Sequence, residues 1–538
     1  MSTIDHKIER DIDFKRIMTS NHPRKVVVGG PGTGKSFLFR QLLKKKKSEG
    51  KVNFLAITFI GKLSDLLADD LCGLAETATM HGFARKFVLH ECGDGWVYYP
   101  DIYKTIEEDL KNEGIKKFDI GDENYKNKTI YYKAVGDADV VHYAVQICKK
   151  DNDKIPKYDL LLIDEFQDFN SVESEFVDEL TKKNEIVIVG DDDQALYEFK
   201  GSSPKFIRNK YHKNNGYWER HTLRFCSRCT EVTIKYFHAL VNKYNLNDST
   251  ESQIEKRRIA KDYICYTPIG EYDSKKDDSK ANPQIHLIKS CPVGMIAYKV
   301  QSELEELCKN QKIKDVLIIG EAQTCQSLLG DVAHILTDYG FKYVNYHDEG
   351  LVQLNYPVLD AYKFIHKDNN SLLGWRLLNN PPEEEKPEHI RRANTLGKIS
   401  NRQTVAESSV EKLIDKIILT TKTDEELKKI LILQQIKRPL KNLHRPLSNL
   451  EITVCNILNA KGLGADVVFV IGFDQGRLPQ KETPTKSEIY QMLVALTRAK
   501  KRIYLINTIG KRVSNFIESI DRKDLKTEEI QPEKKKNE

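Results

Sequence analysis

An α/β protein with two parallel-sheet units in tandem is predicted by three observations. Short apolar strand candidates alternate with helical stretches in both halves of the chain, a glycine-rich turn sits between a strand and a helix near the start, and each unit is interrupted by a polar, weakly periodic segment. At 538 residues the chain exceeds what a single hydrophobic core usually serves.

A polar helical lead occupies residues 1–25, followed by the strand Val26-Val27-Val28 and a helix ending in Lys44-Lys45-Lys46-Lys47, where positive charge suits the helix dipole. A second strand, Phe54-Leu55-Ala56-Ile57, leads to Thr58-Phe59 and then to a helical stretch ending near Thr79-Met80-His81-Gly82-Phe83. Periodicity weakens from residue 86, and the pattern resumes at Leu160-Leu161-Leu162-Ile163 and Ile186-Val187-Ile188-Val189. Strand candidates at 285–288, 316–319, 467–471 and 503–506 form the second unit, with a charged helical stretch between them that includes amphipathic helices over 410–433. The expected domains are therefore 1–85 with 155–215, an insertion at 86–154, 216–345 with 448–519, a helical insertion at 346–447, and a flexible charged tail at 520–538.

Charged residues make up 30% of the chain and apolar residues 40%, which fits a globular protein rather than a disordered one. A net charge of +6 permits nucleic-acid binding through local patches without demanding it. No apolar run is long enough to span a bilayer, so no membrane partner is expected and the expected location is cytoplasmic. The ten cysteines include one close pair, Cys226 and Cys229, without a second pair at zinc-ligand spacing, and free buried thiols are the expected state.

Gly29-Gly30-Pro31-Gly32-Thr33-Gly34-Lys35-Ser36 fits a phosphate-binding P-loop, in which backbone N–H groups close round phosphate oxygens at a helix N-terminus. Lys35 would pair with the β- and γ-phosphates, and the Ser36 hydroxyl would hold the Mg2+ that bridges them. Asp164-Glu165 follows a buried strand, at the sheet edge where such folds place ligands. Hydrolysis needs one carboxylate for the metal and one for the attacking water, and these roles fall to Asp164 and Glu165.

The ordered set of residues 29–36, Thr58-Phe59, Thr79-Met80-His81-Gly82-Phe83, Asp164-Glu165-Phe166-Gln167-Asp168, residues 190–201, Ala460-Lys461-Gly462-Leu463 and Ala495-Leu496-Thr497-Arg498-Ala499 resembles the UvrD/Rep group of superfamily 1 DNA helicases. The resemblance implies two RecA-like P-loop domains, each with a mainly helical insertion, with ATP between them and single-stranded DNA across their top. It implies that Gln194 senses the γ-phosphate and that Gly462 meets the nucleotide or strand from the far side. Arg228 and Arg498 would complete the site, since guanidinium groups stay charged and fork onto phosphate oxygens, and Arg224 is the rival to Arg228. DNA contact would fall to Thr58, Phe59, His81, Tyr197 and Phe199, with Lys200 beside them. Core packing is an equal reading for each aromatic alone, but the charges flanking Tyr197 and Phe199 favour exposure.

Three positions depart from that pattern. Phe14 stands where the group carries an adenine-reading glutamine, Ser227 where it carries a base-stacking tyrosine, and Gly464 where it carries a ribose-contacting glutamate. The phosphate-reading positions are kept, so the expectation is a competent triphosphatase with loosened base selectivity, with Phe37 available to stack on the base. The expected activity is an ATP-dependent 3′ to 5′ translocase and helicase acting on single-stranded DNA and single-strand/duplex junctions, in repair, replication or anti-phage defence. The alternative is an ATP-gated DNA-binding or regulatory subunit of a nuclease-containing complex, to which the short insertions point.

Overall fold

The computed structural model describes residues 3–59, 61–197, 201–213, 215–246, 253–266, 285–310, 313–339, 341, 344–346, 357–378, 384, 386–400 and 450–530. Residues 1–83, 148–349 and 446–538 form one compact unit, and residues 84–147 with 350–445 form another.

The larger unit holds two large all-parallel sheets, besides the short parallel pair of Phe225–Cys226 with Ile264–Cys265. The first comprises β1 (Arg24–Gly29), β2 (Phe54–Thr58), β3 (Glu76–Thr79), β4 (Leu160–Ile163), β5 (Ile186–Gly190) and β6 (Glu219–Leu223), in the order β3-β2-β4-β5-β1-β6. Strands β2, β4 and β5 are buried along their whole length, as continuous Val/Ile/Leu runs covered on both faces should be. Because every strand runs the same way, the turns after β1, β4 and β5 emerge at one edge and carry the P-loop, Asp164-Glu165 and Asp191 to it. Helix Thr3–Thr19 sets Phe14 and Ile17 into the core of this sheet.

The second sheet comprises β7 (Ile285–Cys291), β8 (Asp315–Gly320), β9 (Val344–Tyr346), β10 (Glu451–Asn456), β11 (Ala465–Ile471), β12 (Ala499–Thr508) and β13 (Leu525–Glu529), in the order β9-β10-β8-β11-β12-β7-β13. Phe469 and Tyr504 are register partners on β11 and β12 and stack with centroids 4.6 Å apart. At the amino edge Ala465 N–H donates to Arg498 O at 3.0 Å, which ties Gly464 and Arg498 together at the starts of β11 and β12. The site uses the carboxyl edge of the first sheet and the amino edge of the second.

Two boundary expectations are corrected. Residues 219–223 complete the first sheet, pairing with β1, rather than opening the second domain at 216. The segment expected as a flexible tail from 520 supplies β13, which pairs with β7 through Ile285 and Leu525. Both are edge strands of mixed or polar sequence, Glu-Arg-His-Thr-Leu and Leu-Lys-Thr-Glu-Glu, so backbone pairing places them without an apolar run.

In the smaller unit the two insertions share a core. Ile102, Ile106, Leu110, Tyr125 and Tyr132 from the first pack with Leu373 from the second, and Arg376 Nε donates to Asp109 Oδ1 at 2.9 Å. The amphipathic helices expected within 410–433 lie outside the described residues.

Candidate active site

The P-loop leaves β1 and enters helix Lys35–Ser48 through Gly34, whose φ of +90° lies in the left-handed region that glycine adopts without a steric cost. Gly32 is held to glycine by space as well, since a Cβ there would stand 2.4 Å from the Cβ of Arg228. Thr33 Oγ1 donates to Gly30 O at 2.8 Å, and the Lys35 ammonium donates to Gly29 O at 3.1 Å and Gly30 O at 3.4 Å, so the lysine lies over the loop. Ser36 is half-buried in the first turn of the helix.

Glu165 adopts a left-handed backbone, φ +51°, immediately after β4, and its N–H donates to Asp164 Oδ1 at 2.9 Å. Burial, then the neighbouring Glu165 charge, push the Asp164 carboxyl above the usual range. Burial acts upward on Glu165 too, but Lys461, Lys35 and a hydrogen bond from Gln167 outweigh it and hold Glu165 ionised. Gln167 Nε2 donates to Glu165 Oε2 at 2.5 Å while its Oε1 accepts from Asp191 N–H at 2.8 Å, linking the ends of β4 and β5.

The second sheet completes the site. Arg498 is 1% exposed and donates to Leu463 O at 2.9 Å, Val494 O at 3.0 Å and Gln194 Oε1 at 3.0 Å. Arg228 donates to the same Leu463 carbonyl at 3.4 Å, which brings it beside Arg498. Arg224 is engaged elsewhere, donating to both oxygens of Asp13. Burial, then the nearby Arg228 charge, lower the Arg498 pKa to about 10 against the opposing pull of Glu165, so two guanidinium groups converge beside the Glu165 carboxylate. Such a pair suits the charge of a triphosphate. Gly462, with φ +81°, lies in the same loop, and a Cβ at Gly464 would stand 3.2 Å from Arg228 Nε, so the arginine takes the space of a larger residue there.

Sequence reasoning gave no role to four residues that hold this arrangement. Lys461 is buried, pairs with Asp168, and donates to Gln194 O at 2.6 Å. Lys261 reaches Asp191, Asp192 and Asp193 at 2.6–2.9 Å, Arg258 donates twice to Asp193, and Arg208 donates to Asp192 at 2.8 Å. The three aspartates are the one described group close enough to hold a metal, and the Lys261 ammonium already supplies their cation. Asp191 in turn accepts from Gln194 Nε2 at 2.7 Å, which orients that side chain. Lys461 was visible within its motif, whereas nothing in the local sequence at 208, 258 or 261 points to the aspartates.

The expected DNA contacts divide. Phe59 and Tyr197 come together with centroids 5.4 Å apart, and Phe59 also meets Phe169 at 6.3 Å. The exposure expected for Tyr197 is corrected: it is 6% exposed, donates to Leu458 O at 3.2 Å and lies under the Lys461 ammonium. The flanking aspartates suggested solvent, yet they are themselves buried and paired. Thr58 is buried at the end of β2, and its Oγ1 has no hydrogen-bond partner among the described residues. His81 is held by Glu173 at 3.5 Å. Phe199 and Lys200 lie outside the described residues.

A P-loop and two carboxylates on one sheet, met by Arg498 from the amino edge of the next and by Arg228 from the segment after β6, define a P-loop nucleotide-binding protein of the tandem-sheet kind. Residues 15–200 match the family described as AAA domain, and residues 205–509 match the UvrD-like helicase C-terminal domain. The chain belongs to the UvrD-like helicase family. It is 22% identical over 485 residues to a probable DNA helicase II homolog of Mycoplasma capricolum subsp. capricolum, covering 74% of this chain and 64% of that relative. It is also 22% identical over 374 residues to an ATP-dependent helicase/nuclease subunit of Streptococcus pyogenes serotype M18, covering 60% of this chain and 30% of that one. The chain therefore spans less than two thirds of the length of these relatives. Among the described residues no helix is long and apolar enough to cross a membrane.

Proposed function

We propose that this chain is an ATP-dependent translocase that moves 3′ to 5′ along single-stranded DNA and unwinds duplex at single-strand/duplex junctions, in repair, replication or anti-phage defence. The observation that supports this reading is the hydrogen bond from Arg498 to Gln194, which joins residues from both sheets at the proposed triphosphate site. Closure of the sheets and hydrolysis are then one event.

In this reading Lys35 and the loop amides hold the β- and γ-phosphates. Ser36 and Asp164 offer the hard oxygen donors that Mg2+ prefers, and a divalent cation there would offset the burial and the Glu165 charge that push Asp164 up. Bound there, Mg2+ would neutralise charge on the phosphates. Glu165, kept ionised, orients the attacking water, Gln194 follows the γ-phosphate, and Arg228 and Arg498 stabilise the charge that develops. Gly462 keeps the facing loop close to the nucleotide.

For DNA, Thr58, Phe59, His81, Tyr197, Phe199 and Lys200 form the proposed track. Phe59 and Tyr197 meet at a tilt of 44°, so a base stacks between them once they part, and stacking on π-faces serves any sequence. The ten free cysteines and the use of ATP fit action in the cytoplasm. A second reading, an ATP-gated DNA-binding or regulatory subunit beside a separate nuclease, is favoured by the name of the streptococcal relative, which is that of a helicase/nuclease subunit.

The test is ATP hydrolysis with and without single-stranded DNA, followed by displacement of streptavidin from biotin at either end of an oligonucleotide. Release from the 5′ end alone is expected. Release from the 3′ end alone overturns the polarity, and release from neither end despite DNA-stimulated hydrolysis supports the second reading.

A further inference from the structure

The close cysteine pair in Cys226-Ser227-Arg228-Cys229 lies where the P-loop meets the second sheet. Ser227 N–H and Oγ both donate to Gly32 O, at 2.9 and 3.1 Å, so this turn is fastened to the loop. From the place a Cβ on Gly32 would occupy, Cys226 Sγ is 3.2 Å away. On the other side Cys229 Sγ donates to Thr497 O at 3.7 Å, next to Arg498. The four residues therefore join the phosphate loop to the arginine end of the site, and Arg228 stands between the two cysteines in the chain.

The two sulfurs are placed unequally. Cys229 N–H donates to Cys226 Sγ at 3.3 Å, so the turn winds round that sulfur as its acceptor. Cys265 is the register partner of Cys226 in the short parallel pair, and its Sγ donates to Cys229 O at 3.4 Å, which fixes the other end of the turn. Burial opposes ionisation of Cys226, but hydrogen bonds from the Cys229 thiol and from the N–H groups of Cys229 and Arg228 hold it below the usual thiol range. That same hydrogen bond to Cys226, then burial, push Cys229 above the range. One sulfur is thus the nucleophile while its neighbour keeps a proton, the division that a C-x-x-C pair needs in order to close.

We propose that Cys226 and Cys229 form a redox-sensitive dithiol that hydrogen peroxide closes to a disulfide, switching off hydrolysis at the adjoining site. Both residues are buried, so the oxidant has to be small, a hydroperoxide rather than a bulky disulfide. The Cys226 thiolate attacks a peroxide oxygen, the O–O bond breaks, and the hydroxide that leaves takes a proton from solvent. The Cys229 sulfur then displaces the hydroxyl of the Cys226 sulfenic acid, and its proton departs with that oxygen as water. Two thiols and one hydrogen peroxide give one disulfide and two waters. Closure removes the S–H that reaches Thr497 O and the sulfur acceptor of the turn, so Ser227 and Arg228 shift against the P-loop. A displacement of about 1 Å near reacting groups costs about a hundredfold in rate. The effect on hydrolysis rests on the triphosphatase reading, whereas formation of the disulfide does not.

The full chain, reduced and then treated with hydrogen peroxide, is followed in two ways. Free thiols are blocked with iodoacetamide and the tryptic peptides weighed, and ATP hydrolysis with single-stranded DNA is measured before and after dithiothreitol. The peptides carrying Cys226 and Cys229 are expected to be joined. DNA-stimulated turnover is expected to fall about a hundredfold and to return with dithiothreitol. Cys226→Ala should keep its own turnover through the treatment, and Cys229→Ala, which lacks the second thiol, should leave Cys226 as a sulfenic acid that dimedone labels. Absence of the link while the exposed Cys72 and Cys308 are oxidised overturns the proposal. A link that leaves turnover unchanged, or an equal loss in Cys226→Ala, overturns the switch. Should the link form in a chain that hydrolyses no triphosphate even when reduced, the dithiol stands and the triphosphatase reading fails.

Discussion

The two ends of the nucleotide site are built by opposite means. At the phosphate end, side chains from both sheets form a connected run of buried charge and hydrogen bonds, from Lys261 through Asp191 and Gln194 to Arg498, with Lys461 bridging Gln194 to Asp168. At the other end, where the base is proposed to lie, Phe14, Phe37 and Tyr266 stand round the Arg10 guanidinium, whose Nε lacks a hydrogen-bond partner among the described residues, with Phe37 half-exposed. The difference shows where rigidity is needed. Charge stabilisation depends on groups fixed before the reaction, because reorienting them during it consumes the gain. Holding a base needs only a surface and an edge contact.

The comparison breaks most sharply at Arg498. Arg498→Ala should reduce DNA-stimulated ATP turnover by about a thousandfold or more, with nucleotide binding affected far less. Near-normal turnover of this variant would remove Arg498 from the chemistry. Next in size is Lys261→Met, which leaves Asp191, Asp192 and Asp193 facing two arginines alone. Breaking a buried ion network costs about 3–5 kcal/mol, to be read from urea unfolding, and a loss under about 1 kcal/mol would mean that the network is idle.

Arg228→Ala should cost less than Arg498→Ala, about a hundredfold to a thousandfold in kcat, since its hydrogen bond to Leu463 is the longer, at 3.4 Å. Steady-state rates with both variants side by side would sharpen the ranking, and equal losses would make the arginines equivalent. The smallest effect is expected at the base end. Phe37→Ala should raise KM about fivefold, close to 1 kcal/mol, with kcat unchanged, because a half-exposed stacking face binds ground and transition states alike. A fall in kcat instead would extend the rigid construction to this end.

Legibility in the sequence followed the same division. The P-loop, Asp164-Glu165 and the strand at 160–163 were readable because continuous apolar strands and glycine turns are local signals. Strands β6 and β13 were not, because an edge strand is placed by the backbone of its neighbour rather than by its own side chains. Tyr197 was misread because the flanking Asp192, Asp193, Glu198 and Lys200 look solvated in sequence, whereas Arg208, Arg258 and Lys261 pair with the two aspartates in the interior.

The sequence by itself determined the chemical inventory: which backbone turns can wrap a phosphate, which acids end a buried strand, and in what order the motifs run. These follow from turn conformation and periodicity within a few residues of chain. The tertiary structure alone decided which charges meet. Gln194 and Arg498 are 304 residues apart, and no periodicity spans that distance. Their contact exists because the carboxyl edge of the first sheet faces the amino edge of the second. The same docking removes water from Lys461 and Asp168, and a buried charge is stable there only beside its partner.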